Sequence, residues 1–142
     1  MRITLVAAIV VAVGCSSSSE KMVTVSGTLL KDGKPYTFAA QKLPPGDPGF
    51  RLEFMKQDNG KDGEIFSADF KSDSGSFSVK GTKGPGVPVG KYKVILTKGA
   101  FGAPDEFKNA FSKEKTPLTA DVPDSASVQL EIDLDKKTVT KK

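Results

Sequence analysis

The sequence predicts an all-β fold: a single seven-stranded antiparallel β-sandwich with one short helix, preceded by a signal peptide. Three observations carry this expectation. Short apolar–polar alternations recur along residues 22–134, turn signals fall every eight to twelve residues, and helical periodicity is confined to one two-turn segment. Of the 142 residues, 53 are hydrophobic, and 11 of these lie in residues 1–14. The remaining 128 residues keep 42, enough for one modest core and not two.

Residues 22–30 alternate Val23, Val25 and Leu29 with Thr24, Ser26 and Thr28, the period of a half-buried strand. Asp32-Gly33 supplies the positive φ of a hairpin turn, and Pro35 fixes its exit. Residues 36–42 form a second strand candidate with Tyr36, Phe38 and Ala40 on one side, and residues 43–49 are a Pro/Gly-rich loop. Residues 50–55 alternate Phe50, Leu52 and Phe54 against Arg51 and Glu53; a polar turn at 57–63 leads to residues 64–71, with Phe66, Ala68 and Phe70 on one face. The tight turn Ser72-Asp73-Ser74-Gly75 connects that strand to residues 76–80 as a hairpin.

After a Gly/Pro-rich loop at 81–90, residues 91–98 form a strand with Tyr92, Val94 and Leu96 on one face and Ile95 on the other. Residues 105–111 are the helical candidate, capped by Asp105, with Phe107 and Phe111 at i, i+4 toward the core. Pro117 and Pro123 bracket an edge segment at 118–122. Residues 128–134 alternate Val128, Leu130, Ile132 and Leu134 against polar neighbours, and residues 136–142 are read as a basic tail that frays.

The amino terminus is of a different kind. Arg2 precedes an apolar run from residue 3 to 13, broken only by Thr4, and Gly14 and Cys15 follow. This is the pattern of a secretory signal peptide, and the run is too short for a spanning helix, which needs about 20 apolar residues. Ala12-Val13-Gly14-Cys15 resembles a bacterial lipobox, in which the peptide is cut before the Cys and its thiol and new amino terminus are acylated. Leu is the usual residue three before the Cys; Ala12 stands there. The resemblance implies residues 1–14 as signal peptide and Cys15 as the lipidation site, with membrane lipid as its partner. Several acyl chains give stable attachment, because each buried CH₂ contributes about 0.8 kcal/mol. Residues 15–21, with four consecutive serines, form a flexible tether ahead of a domain at 22–135.

Three further segments carry a second resemblance. Ser26-Gly27-Thr28-Leu29-Leu30-Lys31-Asp32-Gly33-Lys34-Pro35 resembles the opening strand and turn of the carboxypeptidase regulatory-like, or transthyretin-like, domain. Ser72-Asp73-Ser74-Gly75-Ser76-Phe77 is similar to its hairpin, and Pro88-Val89-Gly90-Lys91-Tyr92-Lys93-Val94 to its entry into a core strand. With the lipobox, the arrangement resembles small lipoproteins of planctomycete-type bacteria, whose closing stretch Phe111, Thr116-Pro117-Leu118, Val122 and residues 130–134 match. The resemblance implies a non-catalytic structural or interaction module in the cell envelope, facing the periplasm or exterior, with an envelope protein or cell-wall polymer as partner.

Composition narrows the chemistry. With no His and one Cys, Ser-His-Asp and Cys-His catalysis, His-based metal sites, Cys clusters and an internal disulfide are all excluded. No catalytic residue and no cofactor is expected. Ser112-Lys113-Glu114-Lys115 matches an S-x-x-K nucleophile motif, but the companion triplets are missing and the body is too small for that fold. Residues 58–63 resemble the start of a calcium loop, with Asp58, Asp62 and Asp69 as weak ligand candidates; Gly60 offers no side-chain oxygen at the third position, so a polar hairpin turn is favoured. An enzyme would need Asp58, Asp62, Glu64 and Asp69 around one cleft. The net charge of +4 comes from 19 Lys and 2 Arg interspersed with acids. That reads as a solubilising surface, with no nucleic-acid platform. Tyr36, Tyr92 and the nine Phe are expected in the core rather than around a sugar, and Trp is absent. A carbohydrate- or calcium-binding module in the periplasm is the alternative function.

Overall fold

The computed structural model describes residues 20–40, 42–47, 49–100 and 102–142. The expected signal peptide at 1–14, the expected lipidation site Cys15 and the serines at 16–19 lie outside the described residues. The expectation of an all-β chain is met, and among the described residues there is no helix. Ten strands form: β1 (Met22–Lys31), β2 (Lys34–Pro35), β3 (Phe50–Asp58), β4 (Lys61–Lys71), β5 (Ser76–Val79), β6 (Val87–Pro88), β7 (Gly90–Lys98), β8 (Thr119–Val122), β9 (Ser127–Asp133) and β10 (Thr138–Lys141).

The strands join in one sheet of order β10-β9-β1-β5-β4-β3-β7-β8, and its last strand lies against its first, so the sheet is nearly closed into a barrel. Two separate sheets do not form because β4 is long enough to serve both halves. Its first half pairs β3, from Lys61 against Asp58 to Ser67 against Glu53, and its second half pairs β5, from Ala68 against Val79 to Lys71 against Ser76. The β3–β4 register slips where Gly63 and Glu64 stand opposite Lys56, a bulge that bends the strand ahead of the changeover at Ser67–Ala68.

In place of the expected seven-stranded sandwich stand ten strands in one nearly closed sheet, and four further sequence expectations are corrected. The pairing is not wholly antiparallel: β1 and β9 run parallel, from Thr24 opposite Ser127 to Leu30 opposite Asp133. No strand forms among the described residues of 36–42; β1 is instead met just after the turn by β2 at Lys34–Pro35, because β5 takes the same edge of β1 at Ser26–Thr28 and leaves only Leu30 and Lys31. The helix at 105–111 is instead a succession of turns. Lys108 (φ 52°) and Asn109 (φ 60°) are left-handed, which no α-helix tolerates. Asp105 still caps, its carboxylate accepting from the backbone N–H of Lys98 at 2.8 Å and of Asn109 at 2.9 Å. The basic tail is largely a strand, β10, which hydrogen-bonds to β9 from Thr138 opposite Asp133 to Lys141 opposite Leu130. The Asp133 carboxylate builds that turn by accepting from the amides of Asp135 and Lys136, each at 3.0 Å. Those two amides, with the Lys136 ammonium, hold its pKa below the usual carboxylate value against the opposing effect of burial.

The core follows strand parity. Val23, Val25, Leu29, Leu52, Phe54, Phe66, Phe77, Tyr92, Val94, Leu96, Leu130 and Ile132 are buried together inside the barrel, joined by Phe111 and Leu118. Tyr92 is fully buried and donates its hydroxyl to the Pro88 carbonyl at 2.6 Å, closing the end at which β1 begins.

Candidate functional site

The other end of the barrel is open. On β3 the inward positions run Phe54, Leu52, Phe50; on β4 they run Phe66, Ala68, Phe70; on β7 they run Tyr92, Val94, Leu96, Lys98. Register sets Phe50 opposite Lys98. The last inward layer of these strands is therefore Phe50, Phe70 and Lys98. The chain leaving β2 crosses this mouth. The Tyr36 amide donates to the Leu29 carbonyl and the Phe38 amide to the Ser72 carbonyl, which lays both rings over the opening.

The result is an aromatic rim. Ring centroids of Phe50 and Phe70 are 4.5 Å apart, Phe38 stacks on Phe70 at 5.7 Å with planes 17° apart, and Phe107 comes from the 105–111 turns to within 6.1 Å of Tyr36. Tyr36, Phe38, Phe50, Phe70 and Phe107 are all only half-buried. Leu43 and Ala40 complete a groove of about 410 Å³.

Lys98 stands at its base, with 12% of its side chain exposed. Its ammonium lies 4.2 Å from the Phe38 ring centroid and 5.3 Å from that of Tyr36, donates to the Tyr36 hydroxyl at 3.0 Å, and pairs with Glu106 at 3.0 Å. Burial acts to lower its pKa, but the bonds to Tyr36 and Glu106 outweigh that and leave it raised, so the group is a cation. Asp69 borders the groove, but strand alternation turns its carboxylate away from Phe70, to Lys80 at 2.8 Å.

The calcium candidates are placed apart. Asp58 lies on the face of Lys56, 3.7 Å from its ammonium. Asp62 lies on the opposite face, accepting from Gln57 at 3.2 Å and facing Lys93 at 3.5 Å and Lys113 at 3.4 Å. The hydrogen bond from Gln57, helped by the two lysines, lowers its pKa against the opposing effect of burial. Asp69 is seven residues further along β4, roughly 23 Å at strand rise. Glu64 accepts from Thr82 at 2.7 Å. Among the described residues, no three His, Cys, Asp or Glu side chains group so as to hold a metal ion. Ser112 and Lys115 of the S-x-x-K match lie in a turn, with the Lys115 amide donating to the Ser112 carbonyl at 3.1 Å.

Sequence reasoning put the aromatic residues in the core, and for Phe54, Phe66, Phe77, Tyr92 and Phe111 that holds. It missed the rim and Lys98. A signal was present: Lys98 continues the apolar parity of Tyr92, Val94 and Leu96, and a charged residue at the end of an inward series marks a barrel mouth. Comparison with protein families, with curated proteins and with solved structures finds no match.

Proposed function

We propose that this chain is a lipid-anchored envelope protein whose β-domain is a non-catalytic structural or interaction module. The observation that carries the reading is the apolar run of residues 3–13 ending in Gly14-Cys15, followed by a serine tether. Acylated Cys15 is then the membrane attachment. The chain enters the domain at Glu20–Met22, at the closed end of the barrel, so the aromatic mouth points away from the bilayer toward an envelope protein or cell-wall polymer. The finer fold assignment, a transthyretin-like domain, is part of this proposal. Its support is that the three resembling segments occupy a strand and its hairpin turn, the turn into β5, and the entry to β7. Metabolic labelling with a fatty acid tests the anchor: label on the wild type and none on Cys15→Ala is expected, and equal labelling of the two refutes it.

A second reading, a ligand-binding module, is favoured by the open mouth itself. Barrel mouths are preferred sites for small molecules, and this one joins aromatic walls to a fixed charge. For the carbohydrate form of that reading, the aromatic rim supplies stacking surfaces without Trp.

A further inference from the structure

The geometry points to the barrel mouth as a binding site for a small monocarboxylic acid with a flat apolar body, its ring laid in the groove against Phe38, Phe50 and Phe70 and its carboxylate on Lys98. This deepens the ligand-binding reading and does not depend on acylation of Cys15. The volume, about 410 Å³, lies in the lower part of the ~300–1,000 Å³ range of small-molecule sites. The aromatic walls are preformed by contacts with one another: Phe50 touches Phe70, Phe70 stacks with Phe38, and Phe38 meets Tyr36 at 5.4 Å.

The charge arrangement selects an anion. Lys98 occupies an inward strand position at the mouth, whereas Asp69 carries its carboxylate outside and satisfies it with Lys80. A ligand cation would have to approach an ammonium that already occupies the faces of Phe38 and Tyr36. A lysine has three donors; among the described residues Tyr36 and Glu106 accept two. Glu106 is itself half-exposed, with 51% of its side chain open to water. It is a solvent-exposed carboxylate at the rim, so an incoming carboxylate either takes the remaining donor or replaces it at little loss. The Glu106–Lys98 contact is the chain's own version of the proposed ligand contact.

The test is isothermal titration of the full chain in detergent with 3-phenylpropionate and with its neutral isostere 3-phenylpropanamide. The acid is expected to bind about tenfold more tightly than the amide or better, the effect of one charge-assisted hydrogen bond. Glu106→Gln, an exposed change that keeps the shape of the rim, should tighten the acid and leave the amide unchanged. Lys98→Met should remove the preference for the acid. Equal affinity for acid and amide, no binding of either at millimolar concentration, or weaker acid binding by Glu106→Gln overturns the proposal. Binding of the amide alone would keep the mouth as a ligand site but overturn its assignment to carboxylates. Fatty-acid labelling of Cys15 is read in a separate assay, so failure of one claim leaves the other standing.

Discussion

Gly27→Ala tests the parallel pairing of β1 with β9, the contact that turns a row of hairpins into a nearly closed barrel. Gly27 faces Leu130 across that pair and Phe77 across the pair with β5. A Cβ built at Gly27 stands 2.0 Å from the Leu130 carbonyl oxygen and 2.7 Å from Phe77 Cζ, where ordinary contact begins at 3.4 Å. The Phe77 ring can turn aside; the Leu130 carbonyl cannot, because it belongs to a ladder that holds β9 to β1 over seven residue pairs. Relief requires β9 to withdraw by more than ~1 Å along its length, which places the substitution with the severe backbone clashes, at about 4 kcal/mol. That is a large part of a typical domain stability of ~5–15 kcal/mol. With an unfolding entropy of ~2.1 cal/mol/K per residue over ~120 ordered residues, the thermal midpoint should fall by roughly 16 °C in a circular dichroism melt. Gly33→Ala is the internal control. It has φ +70° but no neighbour within 4 Å, so it incurs only the left-handed penalty of ~1 kcal/mol and a drop of about 4 °C. If Gly27→Ala melts within a few degrees of Gly33→Ala, β1 and β9 do not lie in this register and the barrel as described is wrong.

Tyr92→Phe should lower stability by about 1 kcal/mol at neutral pH, because the buried Pro88 carbonyl loses its donor. Burial first, then Glu20, Asp58 and Glu64, raise the pKa of the Tyr92 phenol, so the wild type loses stability as pH rises past the unfolded value of ~10. Tyr92→Phe lacks that loss, and urea midpoints of the two proteins measured from pH 8 to 11 should converge; a constant gap would show that the phenol titrates freely. Deleting residues 138–142 removes β10, the packing of Val139 on the core and the ion pair of Lys142 with Glu131 at 2.6 Å. The expected cost is about 2 kcal/mol, or roughly 8 °C, with the β9 amides opposite it losing protection in hydrogen exchange; an unchanged midpoint would return these residues to the status of a frayed tail.

Strand existence was legible wherever parity was. Val23 and Val25, Leu52 and Phe54, Phe66, Tyr92 to Leu96 and Val128 to Ile132 all face inward as their alternation requires, since one buried face forces period two. What was not legible is which edge pairs with which. Nothing local in residues 22–31 says that one edge of β1 is shared by β6, β5 and β2 while β9 runs parallel on the other. The strand expected at 36–42 failed for that reason, by competition for an edge. The helix at 105–111 failed locally instead. Asp105 and the Phe107/Phe111 spacing are good helix signals, but the backbone turns left-handed at Lys108 and Asn109. β10 escaped notice because a strand of four residues with one apolar side chain is indistinguishable from a basic tail until β9 offers it an edge.

The two ends of the barrel show how much of the site could have been inferred. β3 and β7 are antiparallel neighbours, and each ends its inward series with a lysine, Lys56 after Leu52 and Phe54, Lys98 after Val94 and Leu96. Antiparallel pairing sends these two lysines to opposite ends. Each extends its stem over the core and keeps its ammonium at the rim, as amphipathic side chains do. Lys56 meets Glu20 at 2.6 Å and Asp58, and the bond it donates to Glu20, against the opposing effect of burial, raises its pKa. Beneath it Tyr92 and Val87 are fully buried, so that end is sealed. Lys98 meets one carboxylate and two aromatic rings, Tyr36 and Phe38, that are themselves half-exposed. The same device thus produces a plug at the end where β1 begins and a socket at the other. The difference lies in what the chain lays across each mouth: the acidic Glu20 just ahead of β1 at one, and the aromatic crossing of Tyr36 and Phe38 at the other.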